Sequence, residues 1–143
     1  MPIGTPLQQS LGLRWLAGDE PGQIAVELDV RDELRGPAGS LEGGVVSTIA
    51  DVAGASAGAR AVNGLVATQH MSISFLAPGR EGPVRATGTP LRVGKSDAVI
   101  EVRVVDRGRD DRLIAAALVT VKVIDPNWSS DGSDLGGSPT AGT

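Results

Sequence analysis

The chain has no cysteine and no tyrosine, and its only aromatic residues are Trp15, Phe75 and Trp128. Without cysteine there is no disulfide framework, and no thiolate to serve as nucleophile or metal ligand. A single histidine, His70, cannot build a metal site alone, so no metal is expected. Positive charge is also scarce. Thirteen Lys and Arg against 17 Asp and Glu leave a net charge of −4, which offers no electrostatic footprint for nucleic acid. The opening residues, MPIGTPLQQSLGL, lack a basic segment followed by an apolar one, so no secretory signal is expected and a cytoplasmic protein is the expectation.

What remains is a chain of 143 residues with 41% apolar and 21% charged residues, the balance of one folded domain with a real core. Twenty glycines and so few aromatics imply a core of Val, Ile, Leu and Ala, packed at short backbone distances to reach native density. Thr5–Leu13 reads as a short helix or turn. Gln23–Arg31 alternates Ile24, Val26, Leu28 and Val30 against Glu27, Asp29 and Arg31, the pattern of a half-buried strand. A Gly/Pro loop follows at Arg35–Ser40.

Glu42–Val62 is the one long helical segment, with Val45, Ile49 and Val52 at helical spacing and a second row through Val46, Ala50, Ala53 and Ala57. Small and hydroxylated residues dominate it and a carboxylate sits at its middle, so it is not a membrane span. Gly54 and Gly58 predict close contact between this helix and a sheet. Four strand-like runs then follow at Ala67–Leu76, Pro83–Leu91, Asp97–Asp106 and Leu113–Val123, joined by turn-forming PGREG, RVGKS and DRGRDD segments. On the first of these runs, alternation sets His70, Ser72, Ser74 and Leu76 against Gln69, Met71, Ile73 and Phe75, and His70 reads as a surface or interface residue. A domain spanning 1–124 with a flexible Gly/Ser/Pro/Asp-rich tail at 125–143 is expected. The class is α+β, one long helix wrapped by an antiparallel sheet.

Asp51 is the sole ionisable residue in GGVVSTIADVAGASAGA. A carboxylate buried there without a partner costs several kcal/mol, so it must serve a polar network or chemistry. Helical spacing sets it on a face with Ser47, Thr48, Gly54 and Ala55, with Ser47 or Thr48 the available structural partners and a general base or nucleophile the functional reading. Before it, Glu42-Gly43-Gly44 opens the helix. Glycines there bare backbone N–H groups to an anion or oxyanion, or merely ease the chain into the helix.

The segment LEGGVVSTIADVAGASAGA resembles the signature helix of hotdog-fold acyl-CoA thioesterases of the phenylacetate-pathway (PaaI-like) branch, and SISFLAPG and LRVGKSDAVIEVRVVD resemble the family's following strands. The resemblance covers about Gln23–Ile124. It implies a hotdog fold and hydrolysis of an acyl-CoA thioester. Asp51 then matches the catalytic carboxylate, Gly43 the glycine whose N–H polarises the thioester carbonyl, and Thr68 a strand hydroxyl that holds the nucleophilic water. Gly44 and Ser47 join as substrate-binding residues, and Arg92, Lys95 and Ser96 of the RVGKS turn as contacts to the phosphates of coenzyme A, or as a solvated turn. The resemblance also implies a site shared between two subunits of a homodimer or homotetramer, with no cofactor beyond the coenzyme A of the substrate.

Two positions depart from the family. Glu42 stands where the family has His, and Gly36 where it has Asn. Glu42 brings an anion to the catalytic neighbourhood, which raises the pKa of Asp51 if the two approach. A non-catalytic acyl-CoA or hydrophobic-ligand binder on the same fold is the alternative these departures keep open. A hydratase or dehydratase is disfavoured, since the helix carries no histidine.

Overall fold

The computed structural model describes residues 4–127. In chain order they form α1 (Pro6–Leu11), β1 (Arg14–Ala17), β2 (Ile24–Leu28), α2 (Gly43–Val62), β3 (Leu65–Phe75), β4 (Val84–Val93), β5 (Asp97–Asp106) and β6 (Arg112–Asp125). The six strands make one antiparallel sheet in the order β1-β2-β4-β5-β6-β3. Helix α2 packs against β2, β3, β4, β5 and β6, which is the expected hotdog arrangement. β1 is the element that the sequence pattern did not announce. Four residues with three exposed side chains give no alternation to read, and only Trp15 turns inward, its Nε1 donating to the buried Ser56 Oγ at 3.2 Å.

Alternation along β2 and β5 delivers the core as expected: Ile24, Val26 and Leu28, then Ile100, Val102 and Val104, are all at most 2% exposed. Against them α2 buries Val46, Ile49, Ala50, Val52, Ala53 and Ala57. The helix can lie this close because its sheet-facing row carries glycines. A Cβ at Gly54 would stand 2.8 Å from Val119 Cβ, and one at Gly58 would stand 2.7 Å from Val121 Cγ2. Gly54 therefore faces the sheet. That is the close contact which its pairing with Gly58 predicts.

Strand β6 runs to Asp125, one residue past the expected domain end, and the expected tail lies outside the described residues from 128 onward. None of the described helices is long and apolar enough to cross a membrane.

A buried carboxylate of structural use, Asp106, closes the far end of β5. It is fully buried, and it accepts backbone N–H groups from Arg80 (3.0 Å), Glu81 (3.1 Å), Gly82 (2.8 Å) and Gly108 (3.1 Å). Burial alone pushes its pKa up, but the four donors outweigh that and hold it below the ordinary carboxylate value. The turn before β4 is thus tied to the turn after β5.

Candidate functional site

Asp51 lies at the middle of α2, on the flank that looks toward β3, the sheet's edge strand. It is half-buried, so the cost of deep burial that singled it out in the sequence is only partly incurred. Its partner is Thr68, whose hydroxyl donates to Asp51 Oδ1 at 2.6 Å. Neither helix hydroxyl takes that part. Thr48 Oγ1 donates instead to the carbonyl of Gly44 at 2.8 Å, and Ser47 makes no side-chain hydrogen bond among the described residues.

A bulge brings Thr68 to the carboxylate. The pairing of β3 with β6 slips between Thr68 and His70, so Thr68 opposes Val121, His70 opposes Thr120 and Met71 opposes Val119. Val119 and Val121 are fully buried, and cross-strand partners share a face. Thr68 thus joins Met71 and Ile73 on the helix side, while His70, Ser72 and Ser74 face outward. Strict alternation would have turned Thr68 away with His70. Gln69 is the residue the bulge leaves over.

Thr5, Leu7 and Gln8 of the α1 region, Ser47, Thr48, Asp51 and Val52 of α2, and Met71 of β3 line a cleft of about 360 Å³ around the carboxylate. The contribution of α1 is the part of this site with no sequence signal. Nothing in Pro6–Leu11 marks it as anything but a capped helix, and only the fold brings it over α2.

At its start, α2 leaves Gly43 and Gly44 exposed. Glu42 is the N-cap, with its carbonyl receiving the N–H of Val45 and Val46 and its side chain making no capping bond. The N–H groups of Gly43 and Gly44 have no backbone or side-chain acceptor among the described residues. Nor does packing within the chain require glycine there. A Cβ on Gly43 would meet the Phe75 ring at an ordinary 3.8 Å, and one on Gly44 would meet nothing within 4 Å. The free donors suit an anion or a polarised carbonyl.

Gly43 and Glu42 are eight and nine residues from Asp51. At 1.5 Å per residue they stand about 12 and 13.5 Å away along the helix axis, too far for one thioester to span within a chain. Glu42 therefore does not adjoin Asp51 of its own chain, and Gly36 lies beside Glu42, not beside the carboxylate.

Arg92, next to last in β4, and Lys95 and Ser96 of the turn into β5 are all exposed. The turn sits at the Thr68 end of the sheet, since Ala98 of β5 and Thr68 of β3 both pair with Val121 of β6. Arg92 is not a free cation, because its Nη1 holds Asp97 Oδ1 at 2.9 Å. Lys95 has no ion pair among the described residues, and the Ser96 carbonyl accepts the Val123 N–H. No group of three or more potential metal ligands occurs among the described residues.

Residues 38–112, more than half of the chain, match the family model of the thioesterase superfamily. The chain is 34% identical over 101 residues to a putative esterase of Saccharolobus solfataricus, covering 69% of this chain and 70% of that protein. It is 28% identical over 118 residues to the 1,4-dihydroxy-2-naphthoyl-CoA hydrolase of Listeria monocytogenes, covering 81% of this chain and 95% of that protein. Among solved structures, the PaaI protein of the E. coli phenylacetic acid degradation operon superposes with a TM-score of 0.73 at 26% identity, covering 84% of this chain and 85% of that one.

Proposed function

The chain belongs to the thioesterase superfamily, and from that premise we propose that it hydrolyses an acyl-CoA thioester to the free acid and coenzyme A, with Asp51 as general base or nucleophile. The observation that carries this reading is the Asp51 carboxylate, anchored through one oxygen by Thr68 and lying in an open cleft. Its second oxygen is left to take a proton from water as that water attacks the thioester carbonyl, or to attack the carbonyl itself and form an acyl anhydride that water then hydrolyses to free acid and the regenerated carboxylate. As the C–S bond breaks, the thiolate leaves and is protonated to coenzyme A. The relative in Listeria, named for a CoA-thioester substrate, supports the acyl-CoA assignment.

The negative charge that develops on the carbonyl oxygen needs donors, and Gly43 and Gly44 have theirs to spare. They belong to a second copy of the chain. Thr68, beside Asp51, lies toward one end of β3, and Phe75, beside Gly43, ends the other. Antiparallel pairing of β3 with the β3 of a second copy sets the Thr68 end of one against the Phe75 end of the other. Asp51 then faces the partner's Gly43. An unpaired edge of 11 residues is also a surface that proteins rarely leave bare.

In that arrangement Glu42 meets Asp51 across the interface, where the family has a histidine. Arg92, Lys95 and Ser96, at the Thr68 end of the sheet, are the candidate contacts to the coenzyme A phosphates, with Arg92 exchanging Asp97 for phosphate.

The test is coenzyme A release by the purified protein over aliphatic and aromatic acyl-CoAs, with Asp51→Asn alongside. The wild type should turn over and Asp51→Asn should lose on the order of 10³-fold or more in kcat. A wild type that binds acyl-CoA tightly and releases none would overturn the hydrolase reading, and full activity in Asp51→Asn would remove Asp51 from the chemistry.

A further inference from the structure

We infer that α1 is the acyl-selecting wall of this site and that Leu7 sets the size of acyl group accepted, favouring a compact apolar group over a long chain. The inference rests on the hydrolase reading above. Leu7 and Leu11 lie one helical turn apart on the same face of α1. Leu11 goes into the core at 9% exposure, while Leu7, 61% exposed, reaches past the core into the cleft that contains Asp51. There it shares the lining with two other apolar side chains, Val52 and Met71.

A wall must hold its position to select, and α1 is held at both ends. At its start, Thr5 and Gln8 exchange hydrogen bonds, Thr5 N–H to Gln8 Oε1 at 2.9 Å and Gln8 N–H to Thr5 Oγ1 at 3.3 Å. At its end, Gly12 adopts a left-handed cap. The Arg31 guanidinium donates to the carbonyls of Leu11 (3.1 Å) and Ser10 (3.2 Å), a cation placed where the helix end favours one. Leu11 and Leu13 then anchor the segment in the core. A helix of six residues would be marginal alone, so this much fastening fixes where Leu7 stands.

The cleft is open, about 360 Å³ on one protomer, and must admit the reacting thioester as well as the acyl group, so a side chain on its wall narrows the space left for the acyl group. One methylene in or out of an apolar pocket changes discrimination by about 10- to 200-fold, so one side chain at the wall can set a preference.

The experiment measures kcat/KM for the wild type, Leu7→Ala and Leu7→Trp on butanoyl-, benzoyl- and decanoyl-CoA, with Leu118→Ala as an exposed leucine on the opposite sheet face. Leu7→Ala should raise decanoyl relative to butanoyl turnover at least tenfold. Leu7→Trp should depress benzoyl and decanoyl at least tenfold relative to butanoyl. Leu118→Ala should leave the order as in the wild type, and all variants should keep the wild-type Tm. Equal changes on every substrate, or none, would overturn the inference, because Leu7 would then touch only the shared coenzyme A moiety or nothing. A wild type inactive on every substrate would instead count against the hydrolase reading itself.

Discussion

Thr68 meets Asp51 because one residue, Gln69, is spare in the pairing of β3 with β6. Hydrogen bonds to charged groups contribute about 1.5–3 kcal/mol, so Thr68→Ala should lower kcat by about ten- to a hundredfold. Thr68→Ser should restore most of it, and KM should move little. An unchanged kcat in Thr68→Ala would leave the hydroxyl no role beyond packing. Asp106 is a second carboxylate with a different purpose. Asp106→Asn replaces an acceptor-only group with one that turns two donors toward N–H groups, at a cost of about 2–3 kcal/mol of stability at pH 7. Its folded pKa is depressed, so its stabilisation is complete above the unfolded value near 3.9 and is lost as pH falls through the lower folded value. Chemical denaturation should show wild type and variant far apart at pH 7 and converging below about pH 4. A gap independent of pH would contradict this account. From the sequence, Asp51 stood out because it was alone in a long uncharged run. Asp106 did not, because it sits among DRGRDD, where acids look solvated.

The glycines of α2 divide by what they meet. Gly54 faces Val119, so Gly54→Ala should cost up to about 2 kcal/mol, the overpacking penalty reduced by alanine's better helix propensity. Gly43 is the first residue of the helix, where proline is well tolerated, and Glu42 before it already has the extended backbone that a following proline demands. Gly43→Pro should therefore keep the wild-type Tm while removing an N–H that no group of the chain uses. If that N–H polarises the thioester, kcat falls by about a hundredfold or more. Retained activity would assign the oxyanion to another donor. The spacing of Gly54 and Gly58 already predicted a helix seated closely on a sheet, and the structure adds that Val119 and Val121 are what they meet. For Gly43 and Gly44 the sequence left donor and entry roles open, because the difference lies in what stands opposite.

The molecule as a whole separates Gly43 from Asp51 by about two helical turns and sets both against one open sheet edge. A site that needs both must be completed by a second copy, so light scattering should report a dimer or a multiple of one. Mixing Asp51→Asn with Gly43→Pro, each expected to lose about a hundredfold or more alone, provides a sharper measurement. Random exchange makes half the dimers mixed, each with one intact site, so activity should return to about a quarter of the wild-type rate. A mixture that stays inactive after verified subunit exchange would mean that both groups act within one chain.

The composition and periodicity of this chain determined its α+β class, its single long helix, most of its strands and the prominence of Asp51, because burial patterns of period 2 and 3.6 are written locally. Resemblance of the helix and its following strands supplied the family, and with it Gly43 and Thr68 as partners. Tertiary structure decided the rest. It added β1, turned Thr68 inward through a bulge, and set Arg92 on Asp97. It packed Gly54 against the sheet and laid α1 over the cleft at Asp51. Each of these depends on which distant segment lies opposite, a relation between strands and helices that no local stretch of sequence contains.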